Sequence, residues 1–102
     1  MIYKSDDNLS EEFKVFLNNA NKFSFKEVFE HIINAWDYQE YITKTNDCIQ
    51  ISTGGSFYHE DILSELNSVF MYMYFKAWKI GGHYVFADLS SIITIDFLIK
   101  NE

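Results

Sequence analysis

The chain of 102 residues contains no proline and no arginine, and it has one cysteine and four glycines. All eight basic residues are lysines. Arginine is the side chain that most often makes bidentate contacts to phosphate and guanine. Its absence, with a net charge of −7, argues against direct binding of nucleic acid. A single cysteine, Cys48, excludes a disulfide within the chain.

Long apolar runs are also missing. No uninterrupted apolar stretch approaches the roughly 20 residues of a membrane helix, and residues 1–7 lack the apolar core of a signal peptide. We therefore expect a cytoplasmic protein that does not contact a membrane.

Apolar and aromatic side chains are plentiful. They make up 48% and 19% of the chain, which is enough to form the core of one domain spanning residues 1–102. The acidic balance suits a basic protein partner, because complementary charge speeds encounter and restricts partner choice. The alternative explanation is that the negative charge only keeps the protein soluble.

Two helices are predicted in the N-terminal third. Apolar residues recur at helical spacing over residues 9–20 and again over 25–36. Ser10 alone, or Asn8 with Glu11, caps the first. Ser24 and Glu27 form a capping box for the second, and Trp36 should lie on its buried face.

A β-hairpin is predicted next, with strands 41–44 and 48–51 around a polar turn. The helical spacing resumes at Ile62, and a strand is expected from residue 71. Gly81 and Gly82 predict a tight turn that pairs Trp78 with Val85.

The last segment has two interpretations, a strand over residues 93–99 or a helix from Leu89. With the strand, the element order is α-α-β-β-α-β-β-β. This order predicts an α+β fold, a small antiparallel sheet with helices packed on one face.

The four glycines form two Gly-Gly pairs, at 54–55 and 81–82. Residues 53–56 lie between a strand and a helix, where backbone N–H groups can hold an anion; the same residues also make a simple turn with Ser56 as the cap. If the two pairs meet in space, His59, Glu60 and His83 would form a candidate acid–base site. No metal or other cofactor is predicted. Zinc requires three or four ligands, and His59, His83, Cys48 and a carboxylate could be assembled into such a set only by assuming the fold.

The middle of the chain, about residues 48–87, resembles a family of small bacterial and phage-borne proteins. That family has the pattern T-G-G-W-S-G-N-E-[DE]-I, then a helix, aromatic residues with a Trp, and R-G-G-H-Y-x-F. The matching residues here are Thr53-Gly54-Gly55, Glu60-Asp61-Ile62, Leu66, Trp78, Gly81-Gly82-His83-Tyr84 and Phe86. The departures are Ser56 for Trp, Phe57 for Ser, His59 for Asn and Ile80 for Arg. The family has no established activity, so the resemblance implies no catalytic residue.

Size, charge and the absence of a nucleophile–base spacing favour a non-enzymatic binding protein. The natural class is an immunity protein that neutralises a basic bacterial toxin, for example a nuclease, by covering its active site. The predicted contacts are acidic residues with two tyrosine anchors: Asp37, Tyr38, Glu40, Tyr58, Glu60, Asp61 and Glu65. Two alternatives stay open, a phage or prophage accessory protein acting on a host component, and a small-ligand or catalytic site at the Gly-Gly segments.

Overall fold

The computed structural model describes residues 1–45, 48–79 and 82–88. Their elements, in chain order, are β1 (Lys4–Ser5), β2 (Asn8–Leu9), α1 (Glu11–Asn18), α2 (Phe25–Ala35), β3 (Ile42–Lys44), β4 (Cys48–Ser52), α3 (Phe57–Glu65), α4 (Ser68–Tyr74), β5 (Phe75–Lys79) and β6 (His83–Ala87). β1 and β2 form a small hairpin, and the other strands form an antiparallel sheet of order β3-β4-β6-β5. The α+β class predicted from the sequence is confirmed.

The two N-terminal helices begin at the predicted caps. Ser10 accepts a hydrogen bond from the backbone N–H of Phe13 at 3.0 Å. Ser24 accepts one from the N–H of Glu27 at 3.1 Å, and its hydroxyl donates to the Glu27 carboxylate at 3.1 Å. Each cap satisfies one N–H that the first helical turn leaves without a partner.

The core lies between the helices and the face of the sheet that carries Ile49, Ile51 and Phe86. The ring of Phe29 in α2 lies 4.9 Å from that of Phe86 and 5.9 Å from that of Phe70 in α4, measured between centroids. These tilted rings join two helices to the sheet. The predicted hairpin is confirmed as β3 and β4.

α3 begins after its predicted cap, Ser56, but the region after Glu65 differs from the prediction. α3 ends at Glu65, and the side chain of Asn67 caps a separate helix, α4, by accepting from the N–H groups of Val69 and Phe70. The strand expected from residue 71 begins at Phe75 instead. The cap and the buried side of α4 outweigh the strand preference of the aromatic run.

The register of β5 with β6 also differs from the prediction. Trp78 lies opposite Tyr84, and Val85 lies opposite Ala77, so the expected pairing of Trp78 with Val85 is wrong. Lys79 pairs with His83, whereas the predicted turn would place Lys79 opposite Tyr84. A positive φ of 77° at Gly82 is confirmed. Gly81 and the segment of the last predicted strand, 93–99, lie outside the described residues.

Candidate partner-binding surface

His59, in the first turn of α3, is fully buried and joins three segments of the chain. Its ring lies parallel to the indole of Trp36, with ring centroids 4.1 Å apart. Its Nε2 accepts a hydrogen bond from the backbone N–H of Asp37 at 3.1 Å, so Nδ1 carries the proton and donates to the carbonyl oxygen of Thr53 at 3.0 Å. His59 therefore fixes the end of α2 against the turn that precedes α3.

The two Gly-Gly segments meet, as the acid–base hypothesis requires. The N–H of Thr53 donates to the carbonyl oxygen of Gly82 at 3.0 Å, and His83 follows opposite Ser52 in the sheet. His59 is not accessible from this site, because it has no exposed surface and both of its ring nitrogens form hydrogen bonds with backbone groups.

The glycines have structural reasons for their positions. Gly54 and Gly55 have backbone φ values of 60° and 78°. Residues other than glycine rarely adopt this left-handed region. A Cβ on Gly54 would overlap the ring of Tyr41, whereas the same atom on Gly55 would meet open space. A Cβ on Gly82 would overlap the hydroxyl of the buried Thr53. Gly54, Gly55 and Gly82 therefore shape the scaffold around α3.

Residues 37–41, which we name the DYQEY turn, link α2 to β3 and carry three of the predicted contact residues. The turn is fixed at both of its sides. The side-chain amide of Gln39 donates to the carbonyl oxygens of Ile33 and Trp36, at 2.7 and 2.9 Å, and so closes the end of α2. On the other side, His59 accepts from the N–H of the turn's first residue.

This fixed turn presents two carboxylates and two phenol rings. Tyr38 and Tyr41 are 51% and 41% exposed, and their ring centroids lie 5.5 Å apart. Asp37 pairs with Lys4, whose Nζ lies 2.8 and 2.9 Å from the two carboxylate oxygens. Glu40 is exposed, and none of the described residues forms an ion pair with it.

Tyr58 does not lie on the surface, which corrects its prediction as an anchor. It is 8% exposed, and its hydroxyl finds no hydrogen-bond partner among the described residues. The Nζ of Lys4 lies 4.3 Å from the ring centroid. Burial, followed by the Asp37 carboxylate and Tyr3, raises the pKa of Tyr58 to about 12. The exposed aromatic ring of this helix is instead Phe57, which is 88% exposed.

The outer face of α3 carries the other predicted acidic residues. Its exposed or half-buried members recur at helical spacing: Phe57, Glu60, Asp61, Ser64 and Glu65.

Two of these carboxylates have polar neighbours. Glu60 accepts a long hydrogen bond, 3.5 Å, from the hydroxyl of Tyr84, and burial together with Glu60 raises the pKa of that hydroxyl. Glu65 accepts one from the side-chain amide of Asn18 at 2.8 Å.

An acidic groove runs between the turn of the β1–β2 hairpin, the start of α1 and the outer face of α3. Its volume is about 500 Å³. Four carboxylates line it, those of Asp6, Glu11, Asp61 and Glu65, together with the ammonium of Lys14. Lys14 lies 3.6 Å from the Glu11 carboxylate, so three lining carboxylates have no ion-pair partner among the described residues.

Four residues of these surfaces were not predicted from the sequence: Tyr41, Phe57, Asp6 and Glu11. Phe57 was detectable, because Asp61 and Ser64 follow it at i+4 and i+7 and so place it on the polar face of the helix. Asp6 and Glu11 were not, since their approach to α3 depends on how the N-terminal hairpin packs.

Comparisons with protein-family models, curated proteins and solved structures find no match to this chain. The resemblance to the T-G-G…G-G-H-Y-x-F family stays a prediction. Within the described ranges, no three His, Cys, Asp or Glu side chains come together in a way that could hold a metal ion, and none of the helices there has the length and apolar character needed to cross a membrane.

Proposed function

We propose that this protein is an immunity protein, an acidic inhibitor that binds a basic bacterial toxin in the cytoplasm and covers its active site without catalysis. The observation that carries the proposal is the acidic groove with the adjoining outer face of α3. Asp61 and Glu65 belong to both surfaces, and Glu60 lies beside them.

Charge complementarity is the physical argument. Carboxylates that face one groove repel one another, and this repulsion is relieved when a cation enters. A nuclease that binds phosphate displays cationic side chains at its active site, so a basic toxin of that kind offers such cations. Leu9 adds an apolar contact to the lining, which suits the methylene stem of an incoming lysine or arginine.

The burial of His59 favours a binding protein over an enzyme that uses this histidine. A general acid or base must reach the proton it transfers, and His59 has no exposed surface. What α3 presents to a partner is a row of carboxylates and one phenylalanine ring.

Co-expression with the product of the neighbouring gene tests the proposal. We expect that product to be basic and to arrest bacterial growth when expressed alone, and we expect co-expression to restore growth. The purified pair should form a complex that weakens as salt rises, because salt screens exposed charges. A neighbouring gene product that neither arrests growth nor binds the purified protein would contradict the immunity assignment.

A further inference from the structure

A second surface, the DYQEY turn, presents aromatic rings and carboxylates together. We propose that it receives an arginine side chain of the basic partner, with the guanidinium against the rings of Tyr38 and Tyr41 and beside the Glu40 carboxylate. This inference rests on the proposed function, because it names one contact of the same basic partner.

The geometry of the two rings supports a cation site. Tyr38 and Tyr41 stand three residues apart on one turn, and the N–H of Tyr41 donates to the carbonyl oxygen of Tyr38 at 3.0 Å. Tyr38 is the extended residue that precedes the short 3-10 turn of Gln39–Tyr41. Their ring centroids are 5.5 Å apart and both rings are partly exposed. A cation over the face of such a ring is attracted by its quadrupole.

The turn is held in this shape before any partner binds. Gln39 donates to two carbonyl oxygens at the end of α2, and the N–H of Asp37 donates to the buried His59. The ring of Tyr41 occupies the space beside Gly54 where a Cβ would stand. A preorganised aromatic pair loses little side-chain entropy on binding, which is why tyrosine is frequent at binding hot spots.

The negative charge of the turn favours a cation as the occupant. Glu40 is exposed, and no described residue forms an ion pair with it. The other carboxylate of the turn, that of Asp37, already holds a cation. Asp37 holds Lys4 in a two-pronged contact, and the same ammonium lies over the ring of Tyr58. Arginine fits better than lysine, because a planar guanidinium both stacks on a ring and donates to a carboxylate.

The experiment is a nuclear magnetic resonance titration of the full chain with acetyl-Gly-Arg-Gly-amide. We expect saturable shifts of the backbone amide signals of Tyr38, Tyr41 and Gly54. The matched peptide with citrulline, which keeps the shape and removes the charge, should bind at least about fivefold more weakly.

Variants locate the contact. Tyr38→Ala and Tyr41→Ala should each weaken arginine-peptide binding about two- to fivefold, as expected for an exposed cation–π contact. Tyr72→Ala is the control, because Tyr72 is 88% exposed on α4. Glu40→Gln should weaken binding while Glu30→Gln, on the exposed side of α2, leaves it unchanged. The glutamine variants keep the test valid if a tyrosine variant fails to fold.

Three results would overturn the inference: equal binding of the citrulline peptide, no saturable shift, or shifts confined to the acidic groove. The last result would leave the proposed function standing, since an acidic surface would still bind a cation. Conversely, specific binding at the DYQEY turn with no protection by co-expression would support a guanidinium site and contradict the immunity assignment.

Discussion

The imidazole of His59 lies flat against the indole of Trp36, with centroids 4.1 Å apart and an angle of 8° between the ring planes. This stack joins α3 to the end of α2. Because the DYQEY turn begins directly after Trp36, the stack sets the position of one proposed contact surface relative to the other. The buried pair is therefore part of the scaffold that holds the two proposed surfaces.

His59→Ala should lower the free energy of unfolding by about 3 kcal/mol. The substitution removes a buried ring and leaves a cavity. It also leaves two backbone groups, the N–H of Asp37 and the carbonyl oxygen of Thr53, without their hydrogen-bond partner. The control is His83→Ala, since His83 is only partly buried and should lose less than about 1 kcal/mol. Urea unfolding monitored by circular dichroism measures both. Equal unfolding free energies for the two variants would contradict the structural role of His59.

A similar comparison tests the cap of α2. Ser24→Ala should lower the free energy of unfolding by about 1 kcal/mol, because the N–H of Glu27 loses its acceptor. Ser64→Ala is the control, an exposed serine inside α3 with no capping role. If both variants unfold at the same urea concentration as the wild type, the cap contributes nothing measurable.

Local patterns allowed correct prediction of the helices that contain their own signals. The Ser24–Glu27 box and the apolar spacing behind it lie within one segment, so the start of α2 could be located from the sequence. The start of α4 has such a signal too, Asn67, but the helical spacing that continues from Ile62 predicted one helix there, and the aromatic run from residue 71 favoured a strand. There a local preference was outweighed by the burial of Phe70.

Features that depend on distant contacts could not be predicted. The pairing of Trp78 with Tyr84 belongs to a register of β5 with β6 that contains an irregularity between Phe75 and Ala77. The ion pair of Lys4 with Asp37 joins residues 33 positions apart. The burial of His59 was partly detectable, because Ile62 and Leu63 follow at i+3 and i+4 and mark that side of the helix as apolar. Its contact with Trp36 was not.

The glycines provide a matched pair for a third prediction. Gly55→Ala should destabilise the fold by about 1 kcal/mol, because φ is 78° but the space around a Cβ is open. Gly82→Ala should cost more, about 2 to 3 kcal/mol, because φ is 77° and the Cβ would overlap the buried hydroxyl of Thr53. Urea midpoints of the two variants measure the difference. Gly82→Ala being the more stable of the two would refute the close approach of Gly82 to Thr53.

The raised pKa of Tyr58 predicts a loss of stability at alkaline pH. The folded state raises its pKa to about 12, against about 10 in an unfolded chain. The unfolded chain therefore releases this proton first, so the stabilising contribution is complete below pH 10 and is lost as pH rises towards 12. Between pH 10 and 11 the unfolding free energy of the wild type should fall relative to that of Tyr58→Phe by roughly 1 kcal/mol.

Two further stability measurements check the Tyr58 prediction. At pH 7, Tyr58→Phe should be as stable as the wild type or up to about 1 kcal/mol more stable, because it removes a buried hydroxyl that has no hydrogen-bond partner among the described residues. Tyr72→Phe, at an exposed position, should follow the wild type across the whole pH range. An alkaline loss of equal size in Tyr58→Phe and wild type would rule out this linkage.

The last prediction concerns association with the proposed basic partner. Asp61→Lys with Glu65→Lys should slow association at low salt by at least about tenfold, and the rate should depend less on salt than in the wild type, because surface charges act mainly through steering. Adding Glu60→Lys should slow association further. The matched control is Glu12→Lys with Glu30→Lys, at exposed sites outside the acidic groove. Both double variants change the net charge from −7 to about −3, since each reversal adds two units.

The comparison separates a local contact from a general effect of charge. Surface plasmon resonance at several salt concentrations gives both rate constants for the wild type and the two double variants. If the control slows association as much as the α3 variant, the groove is not the contact surface and only net charge matters. His83→Ala should leave association and protection unchanged. A folded His83→Ala protein that binds the toxin normally but no longer protects cells would count against simple occlusion and favour a catalytic role for the residues beside the Gly-Gly segments.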